Sequence, residues 1–418
     1  MEIKRALYKE IEDHLNKKEI TLIVGPRQVG KTTLMLKLLE KLKKKGEKVV
    51  YLNLDYESDK RFFESQDILL NKLNLEIGKR GYVFIDEIQR KENAGLFLKG
   101  IYDMHPDYKF IISGSGSIEL KEKIQESLTG RKRMFELLPV TFPEFVNYKT
   151  GYKYEDKLVD FFELEKEKTE IHLKEFLSFG GYPRVITEEN IIEKRKVIDE
   201  IYRSYIEKDI ISLLNIDRPD AFSLLIKLLA AGTGNILNYS QAASASGISV
   251  ITLKKYLWYT EKTYIIKMLN PYFRNSVKEL TKSRTAYFYD IGMRNFANNS
   301  FDLVLNQNET GFVFQNFIMN IISEHLRWKG WSLHYWRTTD KAEVDFVINK
   351  NSEIIPLEVK YSIIKKSLVK RSLRSFIERY SPKRAFIVNL NYSDTVIVDN
   401  TEVFFVPFYK ILDSVLFE

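Results

Sequence analysis

The sequence predicts an α/β protein in several parts: a parallel sheet around a glycine-rich loop, a helical middle containing a helix–turn–helix, and a second α/β unit at the C-terminal end. Three observations carry that expectation. Short β-branched or aromatic runs alternate with helical sequence through the first 150 residues, as in parallel sheets covered on both faces. Residues 151–235 turn to long mixtures of charged and apolar residues with helical spacing. Beyond residue 300, strand-like runs return beside a long amphipathic segment. The expected units are 1–150, 151–235, 236–300 and 301–418, and 418 residues are too many for one ordinary core.

The run ITLIV (20–24) reads as a strand buried on both faces. A glycine loop follows, and KTTLMLKLLEKLKKKGEK reads as a helix that stops at Gly46. VVYLNLD (49–55), YVFID (82–86) and YKFIIS (108–113) are the next strands. Helices on either side of GGYPR (180–184) fill the middle. In residues 238–269 one helix opens near Ser240, Gly247 takes a tight turn, and a second helix runs from about Ser249. The strands YIIKML and TAYFYD follow, which is a winged-helix order. Phe314, Phe317, Ile318, Ile321 and Ile322 mark one buried helix face, followed by the strands EVDFVI (343–348) and IIPLEVK (354–360).

Composition narrows the function classes. The absence of cysteine excludes disulfides, thiolate metal sites and cysteine nucleophiles, and is consistent with a reducing compartment. A charged start without a leader-like apolar stretch, and no run near the roughly 20 apolar residues needed to span a bilayer, lead to a cytoplasmic expectation with no membrane partner. The net charge of +8 is a modest surplus, compatible with nucleic acid but also with a solvated basic surface.

GPRQVGKTTL fits G-x-x-x-x-G-K-[ST] between a strand and a helix. Gly25, Pro26, Arg27, Gln28, Val29 and Gly30 form a loop whose N–H groups turn toward phosphates. Lys31 bridges the β- and γ-phosphates, Thr32 holds Mg²⁺, and Thr33 caps the helix or meets the α-phosphate. Asp86 ends a buried strand where it can hold the metal's hydration shell. Glu87 follows it, placed to orient and deprotonate an attacking water. Among Ser113, Ser115 and Ser117, spacing alone does not select a γ-phosphate sensor. Arg131 is a candidate charge stabiliser in its own subunit or, in an oligomer, a neighbour's, and Arg133 is a weaker one. For each, a solvated basic turn is the plain structural alternative.

GPRQVGKTTL, FIDEIQR, SGSGS and LTGRKRMFELLPVTFPEF together resemble the prokaryotic AAA-type ATPases of the STAND-like group. FGGYPRVI, FYDIGMRN and HYWRTTDKAEVDFVI…LEVK resemble the trailing region of that group, which has a nuclease-like end. The resemblance covers nearly the whole chain and implies ATP rather than GTP. Asp345, Glu358 and Lys360 form D-x12-E-x-K across two strands, the P-D-(D/E)-x-K arrangement, in which two carboxylates hold a divalent metal and the lysine supports a hydroxide. Where the group's pattern has a helix glutamate, this sequence has Gln315 in GFVFQNF. An amide brings a metal no charge, which argues against cleavage.

KYSIIKKSLVKRSLRSFIERYSPKR, with many Lys and Arg and a single run-interior Glu, is the strongest phosphate-contacting candidate. Ser249, Thr252, Lys254 and Lys255 offer a second surface on the helix–turn–helix, suited to DNA or to a protein partner. Three readings stand: an ATP-hydrolysing, DNA-associated switch; an ATP-dependent protein-binding or signalling module that cuts nothing; and an ATP-licensed DNA nuclease.

Overall fold

The computed structural model describes residues 1–104, 106–115, 127–210, 216–273, 283–301, 307–351 and 353–417. The first unit is a five-stranded, all-parallel sheet in the order β2-β3-β4-β1-β5, made of β1 (Ile20–Gly25), β2 (Val49–Asn53), β3 (Arg80–Asp86), β4 (Asp107–Ser115) and β5 (Lys132–Glu136). Strand alternation sorts its apolar residues onto two faces. Ile23, Phe84, Ile111 and Phe135 face α2 (Lys31–Lys44), which lies after the short α1 (Leu7–Asp13) and presents Leu34, Met35 and Leu38. Leu22, Val50, Val83 and Ile112 face α3 (Gln66–Ile77) and α4 (Ala94–Asp103). The strand order reverses beside β1, so a crevice opens at the carboxyl ends of β1 and β3.

The middle is helical: α5 (Phe142–Lys149), α6 (Leu158–Leu164), α7 (Lys166–Phe179), α8 (Pro183–Thr187), α9 (Ile191–Tyr202) and a π-helical run Arg203–Ile210. Then come α10 (Pro219–Ala231), α11 (Tyr239–Ala245) and α12 (Val250–Lys262), followed by the antiparallel hairpin of β6 (Ile266–Pro271) and β7 (Thr285–Phe288). An isolated bridge from Ile236 to Thr285 ties the hairpin back to the segment before α11.

The expected boundaries at 150 and 300 do not separate cores. Helix α13 (Ile291–Ala297) leads to α14 (Gln307–Leu326), whose Phe314, Phe317, Ile318, Ile321 and Ile322 are all buried. Phe142 of α5 packs edge-on against Phe317 at 5.3 Å between ring centres, so the exit from the first unit shares a core with the C-terminal one. The strands β8 (Ser332–Arg337), β9 (Glu343–Asn349), β10 (Ile354–Val359), β11 (Arg384–Asn389), β12 (Asp394–Val398) and β13 (Thr401–Pro407) continue the hairpin into one eight-stranded sheet. Its order is β12-β13-β11-β10-β9-β8-β6-β7, joined through the parallel β6–β8 pair. At the β7 edge, the Asn316 side chain takes the place of a ninth strand: it accepts from Phe288 N (2.8 Å) and donates to Phe288 O (2.7 Å). Helix α15 (Arg371–Tyr380) buries Leu373, Phe376 and Ile377 on the other sheet face.

GGYPR and FYDIGMRN turn out to be two halves of one joint. Gly181 N donates to Asp290 (2.7 Å), and Gly181 O accepts from Val140 N (2.7 Å) just after the first sheet. A Cβ on Gly181 would meet Val140 O at 2.2 Å, so only glycine lets these backbones approach. Asn295 donates to Leu177 O and Ser178 O, and buried Arg294 pairs with Glu309 at 2.9 Å. Among the described residues no helix is long and apolar enough to cross a membrane. Gly181→Ala should lower stability by more than about 2 kcal/mol, because the opposing atom is backbone and cannot rotate away; thermal unfolding with circular dichroism measures it.

Candidate functional site

The loop from Gly25 to Gly30 closes the crevice at the end of β1. A Cβ on Gly25 would meet Leu137 O at 2.0 Å, which leaves only glycine at the loop's entry. Lys31, the first residue of α2, is buried, and its ammonium donates to Gly25 O (3.0 Å) and Pro26 O (2.7 Å) inside the loop. Burial pulls its pKa down to about 8, partly offset by the charges of Glu87 and Asp86. A cation held this way gains on meeting phosphate oxygens, which are stronger acceptors than backbone carbonyls.

Asp86, 1% exposed, collects donors from several elements. Thr32 Oγ1 (2.7 Å) and Tyr51 OH (2.9 Å) donate to Oδ2, while Ser113 Oγ and Glu87 N (3.1 Å) donate to Oδ1. The Thr32 hydroxyl beside a buried carboxylate is a hard-oxygen pair of the kind magnesium takes with phosphates, so Thr32 and Asp86 fit that ion. Glu87 is half-buried and held at φ +58°, an uncommon region for a non-glycine residue that is often found at functional sites. Its carboxylate accepts from Gln89.

The serines separate by position. Ser113 is fully buried and its hydroxyl is spent on Asp86, which makes it a positioning group. Ser115 ends β4 directly across from Gly25, and Ser117 lies outside the described residues. Arg131 does not join the crevice of its own chain. Its carbonyl pairs with Ile20 N at the opposite end of the sheet, and its guanidinium pairs with Asp103 at 2.7 Å. Parallel strands put their starts and ends on opposite rims, and Arg131 stands before the start of β5. Arg133 follows it on the same rim.

Sequence reading missed three residues here. Tyr51 sits in a half-buried strand, where a phenol facing the same side as Asp86 was the available signal. Arg5 donates to Val29 O (2.9 Å) and to Glu144 (3.2 Å), bracing the underside of the loop. Arg184, from GGYPR, donates to Gln28 at 3.3 Å, and Gln28 in turn donates to Ser204 at 3.4 Å. Only the fold brings these together. A cleft of about 980 Å³, lined by Gly30, Thr33, Leu34, Leu137, Pro183 and residues 1–9, adjoins the loop. That is ample for a nucleoside.

In the C-terminal unit, Asp345 stands at a β-bulge in β9, where two residues oppose one on β8. Bulges re-aim side chains, and Asp345 accepts from Gln315 Nε2 (3.2 Å) and Val359 N (2.7 Å). Gln315 also donates to Tyr287 OH (3.0 Å) of the hairpin. Glu358 is buried with Lys360 at 3.0 Å, and Lys360 lies in the field of Glu358, Asp345 and Glu343. Burial pushes the Asp345 carboxyl up to about 6, against the pull of Lys360. The expected metal pair is engaged by protein groups in this arrangement. Both Asp345 oxygens take N–H donors, Glu358 faces an ammonium, and among the described residues no group of three or more His, Cys, Asp or Glu side chains is placed to hold an ion.

Residues 17–146 match the model of an AAA domain, so this part of the chain is similar to AAA-family ATPase domains. Residues 170–303 and 310–409 match two domains of unknown function, DUF8612 and DUF4143. An uncharacterized protein of Methanocaldococcus jannaschii is 27% identical over 97% of this chain and 91% of its own length. One of Haemophilus influenzae is 24% identical over 93% of each. Among solved structures, AMPPCP-bound DnaA from Aquifex aeolicus aligns at a TM-score of 0.28 and 16% identity, over 63% of this chain and 89% of that one. Cdc6p from Pyrobaculum aerophilum aligns at 0.28 and 11%, over 73% and 97%.

Gln315→Glu should set a second carboxyl beside Asp345. Near pH 5 the pair shares a proton and stability changes little; above about pH 6 both ionise and repel, and stability falls. Thermal melts at pH 5 and pH 8 with and without Mn²⁺ check this, with Mn²⁺ restoring the variant at pH 8 and leaving the parent unmoved.

Proposed function

We propose that the chain is an ATP-hydrolysing switch whose nucleotide state governs the helix–turn–helix and C-terminal units, with DNA as the target. The observation that carries this reading is the placing of a buried, loop-wrapped Lys31 and the hydrogen-bonded Asp86 carboxylate at the same rim of the parallel sheet, at the ends of β1 and β3 with β4 between them. Gly25 to Thr33 wrap the phosphates, Lys31 meets the β- and γ-phosphates, and Thr32 and Asp86 hold magnesium. When bound, that ion offsets charge on the phosphates. Glu87 orients the water that attacks the γ-phosphate and takes its proton, and Ser115, at the end of β4 across from Gly25, is the proposed γ-phosphate sensor. Loss of that phosphate releases the loop. Gln28 then carries the change to Arg184 and Ser204 in the middle.

A role for Arg131 remains only toward a neighbouring molecule, since its own crevice is at the other rim. The DNA assignment rests on charge. Lys365, Lys366, Lys370, Arg371, Arg374, Arg379 and Lys383 are all exposed around α15, with Glu378 the one acid among them. The winged-helix order of α10 to β7 supplies Lys254 and Lys255, while Ser249 and Thr252 are engaged with each other at the cap of α12. Ile251, 83% exposed on the same helix, favours a second reading in which α12 docks a protein. Nuclease activity is not part of the proposal, because Gln315 occupies Asp345 where a carboxylate would be needed.

Mg²⁺-dependent ATP turnover should be lost in Lys31→Ala and fall at least about a hundredfold in Glu87→Gln, with nucleotide still bound by the latter; equal turnover in all three proteins would end the catalytic assignment. Duplex DNA binding titrated against salt, with and without ATP, should show a slope that drops by about three to four when Lys365, Lys366, Lys370 and Arg371 are changed to Ala, at about 0.9 per phosphate contact. Absence of binding at every ionic strength would favour the protein partner.

A further inference from the structure

We propose that Tyr51 is the positioning residue that sets metal affinity at the nucleotide site, by holding the one oxygen of Asp86 that faces the phosphate loop. This rests on the magnesium–nucleotide reading above. The two oxygens of Asp86 have different surroundings. Oδ1 is turned inward and accepts from Ser113 and from Glu87 N. Oδ2 accepts from Thr32, the expected metal-holding hydroxyl, and from Tyr51 OH at 2.9 Å. Of those two donors, Thr32 belongs to the helix that follows the glycine loop, whereas Tyr51 is anchored in β2.

The register makes this anchor rigid. Tyr51 pairs with Phe84 and Asn53 with Asp86, so the phenol leans two residues along its neighbour strand to reach the carboxylate. Tyr51 is packed against the α2-side core, which limits its ring to few rotamers. A carboxylate that takes part in a metal's shell must present its lone pair in a set direction, and groups that orient such ligands tune affinity through geometry rather than charge. Tyr51 has that relation to Asp86: its hydroxyl donates to Oδ2 at 2.9 Å, and it acts through the carboxylate.

The test is Tyr51→Phe, which keeps the ring and removes the hydroxyl. Nucleotide binding is followed with a fluorescent ATP analogue, first in EDTA and then over a Mg²⁺ titration. A parallel Mn²⁺ titration by electron paramagnetic resonance reads the metal directly. The expected result is unchanged affinity in EDTA and a weakening of the apparent Mg²⁺ and Mn²⁺ constants by about tenfold. Ser113→Ala serves as the comparison that loosens the inner oxygen instead. Superimposable or tightened metal curves in a Tyr51→Phe protein with parental melting temperature would overturn the proposal. An equal loss of affinity in EDTA would overturn it too, since the hydroxyl would then be shaping the whole pocket. Should Tyr51→Phe unfold, Tyr51→His, which can still donate, must recover metal affinity for the proposal to stand. Absence of nucleotide binding in the parent protein would instead reject the nucleotide site itself.

Discussion

One buried carboxylate organises the first unit. Asp86 accepts from the loop helix, from β2, from β4 and from the backbone beyond its own strand, so four pieces of chain converge on two oxygens. Hydrogen bonds to a charged acceptor are worth about 1.5–3 kcal/mol each, and an ionised side chain buried without them would be untenable. The cluster thus ties the sheet's carboxyl edge to the start of α2 and leaves Lys31 little freedom to wander. The same edge is where the strand order reverses, so one set of contacts both closes the fold and shapes the crevice.

From that crevice the structure runs outward through a joint of close backbones. Gly181 is caught between Val140, at the exit of the first sheet, and Asp290, at the cap of α13. Burial raises the Asp290 carboxyl to about 6 even though three backbone N–H groups oppose the shift. Pro183 and Arg184 extend from the same joint to the cleft wall and to Gln28. The phosphate loop is thereby joined to the helical middle by a short, polar route.

Much of this was legible in the sequence for physical reasons. The parallel strands announced themselves as apolar runs because both faces are covered, and the five apolar residues of α14 kept helical spacing because one face is core. The loop residues could be named because backbone geometry demands glycine there. What stayed hidden depended on distance in the chain. Tyr51 and Arg184 gain meaning only from partners 35 and 156 residues away. Arg131 looked useful because it is basic and near motifs in sequence, yet parallel strands carried it to the far rim. The continuity of the sheet across residue 300 stayed hidden because turn signals do not reveal that β6 pairs with β8.

That pairing has a practical consequence for anyone dissecting the molecule. A fragment beginning near residue 301 would lack β6 and β7, laying bare the backbone of β8 and freeing the amide of Asn316 from Phe288. Unpaired strand rims recruit one another, so such a piece would tend to associate through added strands whatever its native state. Expression boundaries that respect the protein's own architecture must keep the hairpin with everything that follows it.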